Sequence, residues 1–254
     1  MAKGVLIDLT RCIGCRGCQV ACKEWNERRA TETTLNGNFT NPKALNSSTY
    51  KLIEYRERDF HGKPAWDFIM HNCFHCSNPA CASACPVGAL RKTEAGPVTY
   101  SYERCIGCRY CMIACPFEIP KYEWQKALPW VQKCTFCSER IKNDVKPACV
   151  KVCPTETMFF GEREEVLAEA RKRISGSPGK YVDHIYGEKE AGGTAWMYIS
   201  SVPFDDIGFR MKIPDAPLPD LTWGSLSKIP TVAVGAAVVL GAIAYVRNRG
   251  NKEE

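Results

Sequence analysis

Cysteine dominates the chemistry available to this 254-residue chain. There are sixteen, and they fall into four groups of four with none left over. The groups are Cys12, Cys15, Cys18 and Cys22; Cys73, Cys76, Cys81 and Cys85; Cys105, Cys108, Cys111 and Cys115; and Cys134, Cys137, Cys149 and Cys153. Three chemistries use cysteine at this density. Disulfide scaffolds are usually loop-rich chains under about 100 residues behind a secretory signal. Here Lys3 and Gly4 run straight into the apolar Val5, Leu6 and Ile7 without signal-peptide architecture, which argues against disulfides. Structural zinc takes two Cys-x2-Cys-type pairs, and the fourth group alone could pass as one. The first and third groups read Cys-x2-Cys-x2-Cys-x3-Cys, which packs three ligands into one tight loop and sends the fourth elsewhere. That is the bacterial ferredoxin run, whose fourth cysteine serves the other cluster of a pair. Iron–sulfur chemistry is the reading that accommodates all four groups.

Residues around the cysteines fit it. Proline follows the last cysteine of three groups, at Pro86, Pro116 and Pro154, where it stops the turn and leaves no amide to satisfy; Cys22 is followed instead by Lys23. Gly14, Gly17 and Gly107 offer the conformational freedom that turns backbone amides toward cluster sulfides. Ile13, Val20, Ala21, Ile106, Met112 and Ile113 are apolar and are expected to keep water from a cubane. By the ferredoxin rule, Cys73, Cys76 and Cys81 are expected to share a cluster with Cys115, and Cys105, Cys108 and Cys111 with Cys85. The remaining sets are Cys12, Cys15 and Cys18 with Cys153, and Cys134, Cys137 and Cys149 with Cys22. Four [4Fe–4S] clusters follow, with no ligand missing. Of the four histidines (His61, His71, His75, His184), His75 lies between two cysteines that already complete their set, so it is expected beside a cluster or on the surface rather than on iron. Trp25 and Trp124, which follow cysteine motifs, are expected to be packing residues.

Charge agrees. Lys and Arg number 34 and Asp and Glu 28, a net +6. An oxidised cubane with four thiolates carries about −2, so four would bring the loaded protein to roughly −2. The basic excess is therefore expected to neutralise clusters and not to bind nucleic acid.

The elements that must position these thiols come next. The expected fold is α+β: duplicated bacterial ferredoxin-like domains of two clusters each, with insertions, and one C-terminal transmembrane helix. Residues 1–205 form the four-cluster domain, interrupted by an insertion at 23–72. Gly4–Leu9 reads as a strand. In the insertion, Thr31–Ser48 is loop, and Tyr50–Tyr55 and Ala65–Met70 form a hairpin. Val98–Tyr102, Thr157–Phe160 and Ala195–Ser200 are further strands, and Glu164–Ile174 is a helix with Val166, Leu167, Ala170 and Ile174 on one face. Residues 206–228, within a stretch rich in proline (Pro203, Pro214, Pro217, Pro219), read as an extended arm. Residues 229–246 contain no charge, and at ~1.5 Å per residue they span about 27 Å, close to a bilayer core. Gly235, Ala236, Ala237, Gly241 and Ala242 suit close packing against another membrane helix, and Trp223 and Tyr245 suit the interfaces. The tail, 247–254, carries Arg247, Arg249 and Lys252 and is expected in the cytoplasm, leaving the cluster domain outside.

With every thiol committed to metal, no open site remains for substrate, and no dinucleotide fingerprint or P-loop is present. The chain is thus expected to move single electrons while a partner performs the catalysis. The motifs resemble the four-cluster iron–sulfur subunit of membrane-bound molybdopterin or tungstopterin oxidoreductases, and most closely the beta subunit of respiratory formate dehydrogenase. The resemblance is carried by Cys12-Ile13-Gly14-Cys15, Cys18-Gln19-Val20-Ala21-Cys22, Glu24-Trp25-Asn26, Cys105-Ile106-Gly107-Cys108, Tyr110-Cys111, Cys115-Pro116-Phe117, Ile119-Pro120, Pro147 to Lys151, Cys153-Pro154-Thr155, Gly192-Gly193-Thr194 and Met197-Tyr198. It implies a catalytic molybdopterin or tungstopterin alpha subunit as donor, and as acceptor a membrane cytochrome b gamma subunit that reduces quinone. It also implies a place in the cytoplasmic membrane with the cluster domain on the periplasmic side. The equivalent subunit of a hydrogenase, or of a polysulfide, nitrate or sulfoxide reductase, is the alternative within electron transfer. A zinc-structured membrane adaptor is the alternative of another class.

Overall fold

The computed structural model describes residues 2–34, 37–60 and 62–250. In chain order, β1 (Lys3–Asp8) leads through a 3-10 turn (Leu9–Arg11) and the first cysteine loop into α1 (Gly17–Trp25). A hairpin of β2 (Leu52–Phe60) and β3 (Lys63–His71) follows. The middle of the chain alternates short elements: α2 (Ala80–Ser83), β4 (Leu90–Lys92), β5 (Val98–Tyr100), α3 (Tyr110–Ala114), β6 (Lys121–Tyr122), β7 (Val131–Gln132), α4 (Ser138–Lys142) and α5 (Ala148–Lys151). The last third contains β8 (Met158–Glu162), α6 (Arg163–Ser175), β9 (Trp196–Ile199), α7 (Leu218–Leu226) and α8 (Ile229–Gly250).

The fold is α+β, and one sheet organises it. β1 lies between antiparallel β8 and parallel β9. Side chains alternate across a strand, and here both faces are apolar. Val5 and Ile7 point with Trp196 and Tyr198 into the core shared with the cysteines. Leu6, Met197 and Ile199 point the other way, onto Val166, Leu167 and Ala170 of α6. The sheet thus separates a helical layer from a cysteine-bearing layer. The helix begins at a capping box in which Glu162 and Glu165 satisfy each other's backbone amides.

The insertion at 23–72 contains the expected hairpin, with nine paired positions from Leu52↔His71 to Phe60↔Lys63. It forms a wall of the cysteine layer: Ile53, Ile69 and Met70 are buried in the core, and the Phe68 ring lies against Gly14.

Two expectations differ from the structure at the C-terminal side. The boundary expected at residue 205 does not hold, because Val202, Phe204, Ile207 and Phe209 are buried in the cysteine-side core and Ile213 is buried as well. The Phe204 and Phe209 rings pack on Tyr186, with centroids 5.2 and 4.7 Å away. Their irregular spacing has no strand or helix period, so the sequence shows no pattern there. The arm expected at 206–228 contains α7, which begins at Pro217–Leu218 with proline at an N-terminal position that needs no donor. The apolar segment 229–246 lies within α8, and the helical stretch Leu218–Arg249 is long and apolar enough to cross a membrane. Of the tail 247–254, residues 251–254 lie outside the described residues.

Candidate metal centres

The first and third cysteine groups are built alike. Each follows a 3-10 turn, and each has a left-handed glycine and a left-handed arginine: Gly14 (φ 67°) with Arg16 (φ 59°), and Gly107 (φ 69°) with Arg109 (φ 64°). The helix then begins and carries the third cysteine, Cys18 on α1 and Cys111 on α3. The second and fourth groups form another matched pair, with left-handed His75 in one and Phe136 in the other at the same position between two cysteines. α1 packs on α5 and α2 on α3, so the first group meets the fourth and the second meets the third. This is the arrangement of an internal duplication.

Every one of the sixteen thiols is free of disulfide bonds. Cys12, Cys15, Cys18 and Cys153 wall one small cavity, together with Ile53, Met70 and Thr157. Cys22, Cys134, Cys137 and Cys149 wall a second, together with Lys51, Asn72, Phe136 and Trp196. In the other unit, Cys76 lies in the field of Cys73, Cys115 and Cys81, and Cys111 in that of Cys81, Cys105, Cys108 and Cys85. In this second unit Cys81 thus adjoins both sets of thiols.

Burial pushes most of the thiols up: Cys18, Cys81 and Cys111 to about 12, and Cys115 and Cys137 to about 11, with neighbouring thiolates adding to it. Such groups do not ionise in water at neutral pH without a compensating cation, which bound iron supplies. Cys85 and Cys153 are exceptions. Burial acts to raise them too, but amides of the turn after Pro86 outweigh it at Cys85, and Thr157 and Thr155 outweigh it at Cys153. The proline that ends three of the motifs therefore precedes a turn whose donors face back to sulfur. Ala89 N–H donates to Cys85 Sγ at 3.2 Å, Gly107 N–H to Cys105 Sγ at 3.4 Å and Phe136 N–H to Cys134 Sγ at 3.3 Å. Rings of four thiols with amide donors fit a cubane's iron and sulfide.

Several expectations change. Val20, Ile106 and Ile113 are 62, 66 and 84% exposed, so they cover the outside of the loops, whereas Ile13 lines the cavity of Cys12, Cys15, Cys18 and Cys153. The cavities are also walled by Ile53, Met70 and Phe136, from other parts of the chain. Trp25 and Trp124 are exposed and lie against Arg140 (4.6 Å) and Arg109 (5.2 Å), not in the core. His75 is fully buried; its Nδ1 accepts the Val98 N–H at 2.9 Å and its ring lies 4.9 Å from Phe136. His71 and His184 pair with Glu54 (2.6 Å) and Glu190 (2.8 Å). His61 lies outside the described residues.

Sequence reasoning missed two buried lysines, Lys51 and Lys133, and a half-buried one, Lys92. Lys92 donates to the carbonyls of His75, Cys76 and Gly96, and burial lowers it to about 8. Lys133 donates to the carbonyls of Val98 and Cys134. Lys51 donates to Asn72 Oδ1 at 3.0 Å. The basic excess seen in the composition had suggested such cations; nothing in the sequence says which lysines they are.

Two protein-family models match the chain, each described as a 4Fe-4S dicluster domain, one over residues 11–89 and the other over 64–163. The first match contains the first and second cysteine groups and the other the second, third and fourth, whereas in space the first group joins the fourth and the second joins the third. The nitrate-inducible formate dehydrogenase iron-sulfur subunit of Escherichia coli is 39% identical over 197 residues, covering 76% of this chain and 66% of that protein. The formate dehydrogenase-O iron-sulfur subunit of the same organism is 34% identical over 259 residues, covering 98% of this chain and 85% of that protein. The hydrogenase-2 operon protein HybA of Escherichia coli is 34% identical over 262 residues, covering 89% of this chain and 76% of that protein.

Proposed function

The chain belongs to the family of 4Fe-4S dicluster iron–sulfur subunits that includes those of formate dehydrogenase, and on that premise we propose that it conducts electrons through four [4Fe–4S] clusters. Cys12, Cys15, Cys18 and Cys153 hold one, and Cys22, Cys134, Cys137 and Cys149 the next. Cys73, Cys76, Cys81 and Cys115 hold the third, and Cys85, Cys105, Cys108 and Cys111 the fourth. Bound clusters supply one-electron redox chemistry; the chain's own work is to grip them, shield them and set their spacing.

The observation that carries this reading is the succession of the four thiol groups. Cys18 lies in the field of Cys149, Cys134 in that of Cys73, and Cys111 in that of Cys81. Each group therefore adjoins the next, in the order Cys12, Cys22, Cys73, Cys105. A catalytic domain needs no such file; a conductor does.

The electrons come from formate oxidised on a molybdopterin or tungstopterin alpha subunit. They pass to a membrane cytochrome b gamma subunit that reduces quinone. The span within 218–249 anchors the chain in the cytoplasmic membrane, and the basic residues Arg247 and Arg249 support a tail on the inside with the clusters on the periplasmic side. The similarity to HybA supports a second reading in which the donor is a hydrogenase.

Metal analysis and co-purification test both levels. The protein is expected to be brown, absorbing broadly near 400 nm, with about sixteen irons and matching sulfide per chain. It is expected to bring down a large pterin subunit. Two zinc ions and no iron in a folded chain would refute the conductor; a nickel-bearing partner would replace formate with hydrogen.

A further inference from the structure

The second cavity has an unusual wall. Lys51 is only 2% exposed, and its ammonium has three N–H donors but a single side-chain acceptor among the described residues, Asn72 Oδ1. Its other neighbour is the face of Trp196, 4.6 Å from ring centroid to Nζ. No described carboxylate pairs with it. Trp196 is 1% exposed, and its indole N–H has no partner among the described residues. Both side chains line the cavity formed by Cys22, Cys134, Cys137 and Cys149. The half-buried Lys92 and the buried Lys133 have three and two backbone carbonyls as acceptors. Lys51 is different: its charge and a donor are left for whatever fills the cavity.

A buried cation without an anion is strongly disfavoured, and an unpaired buried N–H adds to the cost. One occupant resolves both. A cubane carries net negative charge with its thiolates and presents sulfide and thiolate acceptors. We propose that Lys51 and Trp196 form an electropositive, hydrogen-donating wall to the cluster held by Cys22, Cys134, Cys137 and Cys149, and raise its reduction potential. A fixed cation stabilises the more negative, reduced state, and a donor to sulfide acts in the same direction. The neighbouring Cys12 and Cys18 also lie in the field of Lys51, so the cluster there is affected next. The lysine comes from the hairpin insertion and the tryptophan from the central sheet, so the electrostatics of this cluster are set from outside the cysteine motifs.

The inference rests on the cluster reading above, and its test separates the two. The complex is purified with its partners, and each cluster is titrated by electron paramagnetic resonance in wild type and in Lys51→Met, Lys51→Arg and Trp196→Phe. In Lys51→Met, one cluster's reduced-to-oxidised ratio at fixed potential is expected to fall at least tenfold, which for one electron is 59 mV. Trp196→Phe keeps the ring and removes the N–H, and is expected to lower the same cluster by about threefold. Lys51→Arg keeps the charge and is expected to stay within threefold of wild type, and the cluster of Cys105 is expected not to move. Full iron content with unchanged potentials in both Lys51→Met and Trp196→Phe overturns the proposal. If Lys51→Met fails to load iron, an unchanged potential in Trp196→Phe overturns it alone. An iron-free wild type overturns the cluster reading itself.

Discussion

Gly14 and Gly107 occupy the same place in the two halves of the duplication, yet replacing them is expected to have different effects. Both are left-handed, at φ 67° and φ 69°, so alanine at either costs about 1–2 kcal/mol in backbone conformation. The difference lies in what the new methyl meets. At Gly14 a Cβ would stand 2.7 Å from two carbons of the Phe68 ring, which is held in the hairpin. Tyr55 also fixes this loop by donating its hydroxyl to the Gly14 carbonyl. At Gly107 the nearest atom is the Tyr122 hydroxyl at 3.0 Å, the free end of a side chain that can swing aside. Overpacking against the Phe68 ring adds about 1–3 kcal/mol, so Gly14→Ala is expected to cost roughly 2–5 kcal/mol in all. Gly107→Ala is expected to lose only the backbone part. At roughly 2–4 °C per kcal/mol for a chain of this size, melting of the loaded protein, followed by circular dichroism and 400 nm absorbance, should separate the two by several degrees. In a Phe68→Leu background the extra loss at Gly14 should shrink toward the Gly107 value. Equal losses in the two single variants, or a Gly14→Ala cost unaffected by Phe68→Leu, would refute the assignment of the hairpin as a packed wall.

Three further outcomes follow from the same structure. Phe204→Ala is expected to destabilise the protein by about 3–5 kcal/mol, as large core truncations do, and denaturant melts would read it; a surface-like loss under 0.5 kcal/mol would return residue 204 to an external arm. The Glu54 carboxyl is held below its ordinary range chiefly by the hydrogen bond to His71, helped by Arg56 and opposed by burial. Its folded value lies below the unfolded one, so its stabilisation is present above about pH 4.3 and is lost as pH falls through the folded value. Wild type should therefore lose melting temperature faster than Glu54→Gln between about pH 5 and 3. Cys149→Ser should lower iron by about one cluster, or by a single iron with a [3Fe–4S] signal, while Cys12, Cys15, Cys18 and Cys153 keep theirs; loss of all iron would contradict independent sites.

Cysteine spacing was legible because it is a local property: ligands that close around one cluster within a loop must sit two or three residues apart. In the structure Cys12 and Cys153 wall one cavity and Cys22 and Cys149 another. The strand at Val5–Ile7 and the helix at Val166–Ala170 were legible for a similar reason, since each shows its own period. The walls of the sites were not. Lys51, Asn72, Ile53 and Met70 come from an insertion that reads as an ordinary hairpin, and Trp196 comes from a strand more than forty residues beyond the last cysteine. Contact between distant segments leaves no mark in local pattern. The same limit misplaced Ile106 and Ile113. They lie beside the cysteines in sequence, but the tight loop spends its inward positions on sulfur and backbone amides and turns these side chains outward.

Cys18 and Cys22 stand one helical turn apart on α1 and wall different cavities. The pitch of the helix, about 5.4 Å, therefore acts as a ruler between two redox centres. Backbone hydrogen bonds, not side-chain fit, fix that interval, so drift in core volume during evolution leaves the tunnelling step between them unaltered. The thickness of the barrier an electron must cross there is written into secondary structure, the least adjustable dimension a protein possesses.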